Sequence, residues 1–392
     1  MKKAVQFGAG NIGRGFLGQL YFESGYHTTY VDVVDELIVL LNERHEYPLR
    51  IVGESEETLI IGNASALHAK DKQAIARALS EASLASTAVG VNVLPRIAPL
   101  IAAGIAERFR APDAPPLNFV VCENLLDAGP FLREEVRKCL EPNLHGVLDE
   151  RVGFVEASIG RMVPIMTDEQ RAEDPLLVCV EPYCELPVDV TGFKGSLPPL
   201  NNMQPRENFK AYVERKLFVH NMSHAAAAYL GYLRGHSYVW QAIADDRVRA
   251  KTEAALAETS RGLARKHGLL EDELHAHGRD LLERYSNKAL ADQIERIAKD
   301  PLRKLGPNDR LIGAGTMCLE QGIEPTHVAF AAAAAIRYDH PDDPAAQSLR
   351  TLREQKGIDG VIREVCGLSP ASRLAQLITN MDQCLKEEGW VG

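Results

Sequence analysis

Apolar positions in the first half of the chain fall in short β-rich runs separated by longer stretches of helical period. "KKAVQF", "HTTYVDV", "STAVGV" and "NFVVCEN" read as strands, with "GRGFLGQLYFESG" and "PRIAPLIAAGIAERF" as helices between them. Alternation of this kind predicts a parallel sheet with crossover helices. Two later runs, "VGFVEAS" and "PLLVCVEPY", are expected to extend that sheet. The pattern breaks at "TGFKGSLPPLNNMQPREN", Thr191 to Asn208, which is dense in Gly, Pro and Asn and reads as a domain junction. Beyond it the period is helical almost throughout: "FKAYVERKLFVHNMSHAAAAYLGYL", "VRAKTEAALAETSRGLARKHG", "ALADQIERIAKD" and "HVAFAAAAAIRY". The expectation is an α/β domain over 1–195 and a mainly α-helical domain over 196–392. The Ala-rich run Phe330 to Ile336 reads as a close helix-packing surface, and the chain carries no internal repeat.

Composition agrees with two domains, since 392 residues at 45% hydrophobic content exceed the usual range for one. The formal charge of -10, from 44 basic and 54 acidic residues, argues against a nucleic-acid partner, which needs a basic face. A small anionic substrate stays compatible with it. No apolar run is long enough to span a bilayer, and "MKKAVQFGAGNIG" turns glycine-rich before a signal-peptide core could form. The seven cysteines are scattered without a CxxC, as expected of reduced thiols in a cytoplasm. Cys179 and Cys184 lie in a strand-like run and its end without obvious partners, so no metal site is expected. His275 and His277 in "HAH" read as a solvated helix edge.

"GAGNIG" places Gly8, Gly10 and Gly13 in a G-x-G-x-x-G pattern, directly after the strand "KAVQF" and opening a helix. The first glycine permits the tight turn, the second lets a pyrophosphate approach the backbone, and the third lets helix and strand pack closely. Asp32 ends the strand "TTYVD", where a carboxylate would hydrogen-bond the ribose 2′-hydroxyl and repel a 2′-phosphate. The first domain is therefore expected to be Rossmann-type and to bind NAD rather than NADP through Gly8, Ala9, Gly10, Asn11, Ile12, Gly13 and Asp32.

The second candidate site is "ERKLFVHNMSH", Glu214 to His224. At about 100° per residue, His224 lies about 80° around a helix from Lys216 and Asn221 about 140° around, so all three project from one half of it. An amine, an amide and an imidazole in that arrangement suit either a reaction site or a solvated edge. A lysine in a dry cleft loses solvation of its charged form and can act as a base. Alcohol oxidation needs such a base, and amide donors beside the oxygen would stabilise its charge. Asn221 can supply one amide, and Asn124 in "CENLLDAG", at the carboxyl end of a strand, a second. Tyr212 and Lys216 also form Y-x-x-x-K, but beyond the junction, so Tyr212 is read as helix packing.

Lys216, Asn221 and His224 match the K-x-x-x-x-N-x-x-H signature of the polyol-specific long-chain dehydrogenases, the mannitol dehydrogenase family. The resemblance extends over "FGAGNIGRGF", "TAVGVNVLPRIAP", "CENLLDAG", "ERKLFVHNMSHAAAAYLGYLRG" and "DPLRKLGPNDRLIG", nearly the whole chain. It implies a Rossmann-type domain followed by a mainly helical one, and metal-independent hydride transfer. It also implies that Lys216 is the general acid/base, that Asn124 and Asn221 hold the reacting oxygen, and that His224 binds substrate. Many members have R-F-x-N-P where this chain reads "RYSNK", with Lys288 in place of proline. Arg284 and Asn287 are retained, and the resemblance makes them substrate contacts. Lys288 is read as an ordinary exposed lysine. The implied reaction interconverts D-mannitol 1-phosphate and D-fructose 6-phosphate. A hexuronate reductase, an unphosphorylated-polyol dehydrogenase and a catalytically silent NAD-binding sensor are the alternatives. For a phosphorylated substrate, Arg284, Lys288, Arg303, Lys304 and Arg310 are the candidate phosphate donors.

Overall fold

The computed structural model describes residues 1–391 except Glu54, Leu126 and Ile165. The chain divides into two compact units, Met1–Phe209 and Lys210–Gly392.

Among its described residues the first unit contains eleven strands: β1 (Lys2–Phe7), β2 (Tyr26–Asp32), β3 (Tyr47–Val52), β4 (Glu56–Ile61), β5 (Ala64–His68), β6 (Leu84–Thr87), β7 (Leu117–Val121), β8 (Val152–Glu156), β9 (Val178–Val180), β10 (Leu186–Asp189) and β11 (Met203–Arg206). Six form a parallel sheet in the order β5-β2-β1-β6-β7-β8. Its central strands are buried on both faces, β6 and β7 along their whole length, which explains their unbroken apolar runs. From β1 the chain builds outward to β2 and β5, then returns to the other side of β1 to add β6, β7 and β8. The strand order therefore reverses between β1 and β6, and in open α/β sheets ligands gather at the carboxyl ends of strands beside such a reversal. "VGFVEAS" joins this sheet as β8, as expected. "PLLVCVEPY" does not. Its strand, β9, pairs with β3 in a separate three-stranded sheet, β4-β3-β9, that covers the first helix from the other side.

The second unit is helical among its described residues. Its centre is the Ala-rich helix Thr326–Arg337, whose residues Val328 to Ile336 are all buried. It packs on the helices Asn221–Leu233, Asp246–His267 and Arg373–Glu387, a close approach that methyl-sized side chains permit. "ALADQIERIAKD" forms much less helix than its period suggests. Ala291 takes a left-handed conformation after a short 3-10 turn, and only Ile294–Ala298 is α-helical before Pro301 starts the next turn. No helix among the described residues is long and apolar enough to cross a membrane.

Candidate active site

The glycine turn after β1 is held from several directions. Gly8 sits at φ +90°, which glycine tolerates and a Cβ would not, because it would strike the Ala88 carbonyl after β6. A Cβ on Gly13 would run into the Gly8 carbonyl, so the third glycine is what lets the helix approach the strand end. Gly10 has nothing within 4 Å on that side, leaving its backbone open to an approaching group. Asp32 Oδ2 accepts the Ala9 N–H at 2.7 Å, and its Oδ1 accepts those of Val33 at 2.7 Å and Val34 at 3.2 Å. The buried Arg14 donates Nε to the Ala9 carbonyl at 2.7 Å and reaches the Leu176 carbonyl with its terminal nitrogen. Ala9 is thus fixed through both its backbone groups. Glycines cleared for a pyrophosphate and a carboxylate at the end of β2 together suit a dinucleotide.

At the same sheet edge Glu123 is buried beyond β7, and its carboxylate accepts the Thr87 hydroxyl at 2.7 Å and the Val89 N–H at 2.9 Å. Burial raises its pKa above the usual carboxylate range. It ties the loop after β6 to the segment carrying Asn124, which is exposed in the bend following β7.

In the helical unit the run Glu214 to His224 is not a uniform α-helix. The α-helix Phe209–Arg215 gives way to a π turn over Lys216–His220, and α-helix resumes at Asn221–Leu233. The N–H of Asn221 closes on the carbonyl of Lys216, an i→i+5 bond. The 140° separation computed for a regular helix therefore does not hold. In the wider turn Asn221 comes one turn after Lys216, stacked along the axis rather than carried around it. Single π turns of this kind occur often at functional sites.

Around this turn lies a compact polar cluster. His220 is buried, and its pKa is held well below the usual imidazole value by that burial and then by Arg284, His224, His277 and Lys216. Its carbonyl accepts hydroxyl hydrogen bonds from Tyr285 at 2.9 Å and Ser223 at 3.0 Å. The His224 ring stacks on Tyr285, with centroids 4.7 Å apart and planes inclined by 11°. Its Nε2 lies 2.8 Å from Asp292 Oδ2. Arg284 is nearly buried, with one nitrogen 3.4 Å from Asp280. Asn287 caps a short 3-10 turn by accepting the Ala289 N–H at 3.0 Å. An amine, an amide, two imidazoles and a guanidinium are thus gathered along two short stretches, a set able to exchange a proton and bind an anion.

Residues 2–202 match the Mannitol dehydrogenase Rossmann domain, and residues 208–384 match the Mannitol dehydrogenase C-terminal domain. The chain belongs to the mannitol dehydrogenase family. The mannitol-1-phosphate 5-dehydrogenase of Bacillus subtilis is 40% identical over 376 residues, covering 96% of this chain and 98% of that one. The protein of the same name from Streptococcus mutans is 35% identical over 97% of this chain and 99% of its own. The fold matches the Pseudomonas fluorescens mannitol 2-dehydrogenase, solved as a ternary complex with NAD and D-mannitol. There the TM-score is 0.76 at 19% identity, over 99% of this chain and 92% of that one.

In this mannitol dehydrogenase family member, the other basic residues singled out in the sequence are engaged locally. Arg303 pairs with Asp300 at 3.1 Å and Asp309 at 3.2 Å, and Arg310 pairs with Asp309 at 2.7 Å. Lys304 is buried and donates to the Lys299 carbonyl, with burial, and then Arg310 and Arg303, pulling its pKa down to about 7. Lys288 lies over the Trp240 ring at 4.9 Å. The Arg215 guanidinium lies over the Tyr212 ring at 4.6 Å. His277 overturns its sequence reading as a solvated edge. It is half-buried, and burial, then Arg215 and Arg284, depress its pKa to about 3. The pattern also gave no notice of His220, Tyr285 or Asp292. His220 could have been found, since it stands four residues before His224 on the same helix face. Among the described residues no three or more His, Cys, Asp or Glu side chains gather as metal ligands.

Proposed function

We propose that this protein is an NAD-dependent dehydrogenase interconverting D-mannitol 1-phosphate and D-fructose 6-phosphate. The observation that carries the reading is the near-full-length similarity to curated relatives of that name at 35–40% identity. The site chemistry supports it. NAD would be held by Gly8 to Gly13 and Asp32 on the N-terminal domain, taken as 1–195, and supplies the hydride acceptor or donor. The helical domain, taken as 196–392, carries the proton chemistry.

In oxidation, Lys216 as free amine takes the proton of the reacting hydroxyl while the carbon beneath gives up hydride, leaving a ketone. In reduction, its ammonium returns that proton to the developing alkoxide. Asn221 and Asn124 donate amide N–H groups to the oxygen, whose negative charge is greatest in the transition state. His224, Arg284 and Asn287 bind the rest of the substrate, with the Arg284 guanidinium suited to phosphate because its fork bonds two oxygens at once. The partner is a small sugar or polyol phosphate and the setting is the cytoplasm, with no nucleic-acid or membrane partner.

The Lys216→Ala variant tests the assignment. Loss of a general acid/base costs on the order of 10²–10⁴ in kcat. NADH affinity, measured by fluorescence titration, should stay near wild type. Activity within about threefold of wild type would remove Lys216 from this role.

A further inference from the structure

Asp292 has no part in the reading above, yet its carboxylate is held from two sides. It is 8% exposed, with Oδ2 facing His224 Nε2 at 2.8 Å and Oδ1 taken by Arg296. Its backbone is fixed as well. The Asp292 carbonyl accepts the Val239 N–H at 2.9 Å, and the Ile294 N–H donates to the Ser237 carbonyl at 2.9 Å. These bonds flank an antiparallel bridge between Tyr238 and Gln293. The carboxylate therefore projects from an immobilised strand-like segment at the edge of the His224 ring, while Tyr285 covers the face of that ring.

We infer that Asp292 is a positioning residue, which orients the His224 imidazole for substrate and favours its charged form. The inference rests on His224 being a substrate contact in the proposed reaction. A carboxylate in ion-pair contact with one ring nitrogen favours a proton there and restrains the ring. Charge makes the pairing necessary. His224 has His220 at 6.3 Å between ring centroids and, through the same cluster, Lys216, Arg284 and His277 as cationic or ionisable neighbours. Of these, the cations Lys216 and Arg284 oppose a charged imidazole, whereas Asp292 favours one. Arg296 partly offsets the carboxylate from its far side.

The test compares Asp292→Asn with wild-type enzyme, using fructose 6-phosphate and NADH. Asparagine keeps the shape and removes the charge. KM for the sugar phosphate should rise about 10-fold or more, as for loss of a charge-assisted hydrogen bond. Turnover should change by less than about threefold, and NADH affinity should hold. The pH above which KM climbs should fall by about one unit, because the charged imidazole loses its partner. Arg296→Gln touches the same carboxylate but leaves its charge facing the histidine, so it should lower the melting temperature without raising KM, and the pH above which KM climbs should not fall.

A wild-type KM profile in Asp292→Asn would overturn the inference, and so would equal KM effects in both variants. Should Asp292→Asn not fold, the ring of His224 can be read in wild-type enzyme carrying 15N-histidine, assigned by comparison with His224→Gln. A proton retained on Nε2 from about pH 6 to 9 supports the pairing, and an Nε2 that loses it in that range refutes it. If the wild-type enzyme reduces a different ketose, the proposed substrate fails, and the same comparison on that ketose still judges Asp292.

Discussion

At the turn after β1, Ala9 is gripped by Asp32 through its N–H and by Arg14 through its carbonyl. Asp32 therefore braces the cofactor loop in addition to the ribose contact that its place at the end of β2 suggests. The two duties separate by substitution. Asp32→Asn keeps an acceptor for Ala9 and loses the charge that repels a 2′-phosphate, whereas Asp32→Ala loses both. Both variants should relax the preference for NADH over NADPH, read as the ratio of kcat/KM values at fixed ionic strength. Only the alanine variant should also lose affinity for both cofactors together. An unchanged ratio in both would assign the selectivity to another group. Of this turn, the glycines and Asp32 were legible from spacing. Arg14 was not, because its role depends on a carbonyl at Leu176, far away in the chain.

Two helices pass through a π turn, Gly13–Leu17 and Lys216–His220, and in each a tyrosine hydroxyl donates to a carbonyl of the turn. Tyr47 bonds the Arg14 carbonyl at 2.7 Å, and Tyr285 that of His220 at 2.9 Å. At the first turn the Tyr47 hydroxyl also lies 2.9 Å from that of Tyr30, and the space for both comes from Gly18, whose Cβ would collide with the two oxygens. Gly18→Ala should therefore cost about 1–3 kcal/mol by overpacking, measured by denaturant unfolding. A cost below about 0.5 kcal/mol would mean that the tyrosines shift without penalty. The π turns themselves were illegible. Their residues keep an ordinary helical pattern, and the extra residue per turn is set by partners from elsewhere in the fold. β9 was read as a strand but placed in the wrong sheet for a related reason: its composition announces a strand, but the choice of β3 as neighbour is a long-range one. In "ALADQIERIAKD" the helical period was real, yet the left-handed Ala291 and the bridge to Tyr238 take its first half for placing Asp292.

Across the molecule, an acidic chain with a formal charge of -10 keeps Arg284 and Lys216 close to His220, while other basic residues singled out in the sequence are engaged locally. Arg303 and Arg310 are spent on Asp300 and Asp309, and Lys304 on a backbone carbonyl. Arg284, 3.4 Å from the half-exposed Asp280 and 10% exposed beside His220, is the candidate for phosphate that the family resemblance singles out. The two-domain order and the family could both be read from the sequence, the first from periodicity and the second from the resemblance. The neutralisation of the other cations could not, since each depends on which acid the fold sets beside it. The most direct test of the whole account is NADH oxidation by the intact enzyme with D-fructose 6-phosphate, D-fructose and D-tagaturonate, followed by identification of the product. The account predicts mannitol 1-phosphate as product and a kcat/KM for fructose 6-phosphate at least about 10²-fold above fructose, since one charge-assisted phosphate contact contributes about 1.5–3 kcal/mol. Equal efficiency for fructose and its phosphate, or a preference for tagaturonate, would contradict it.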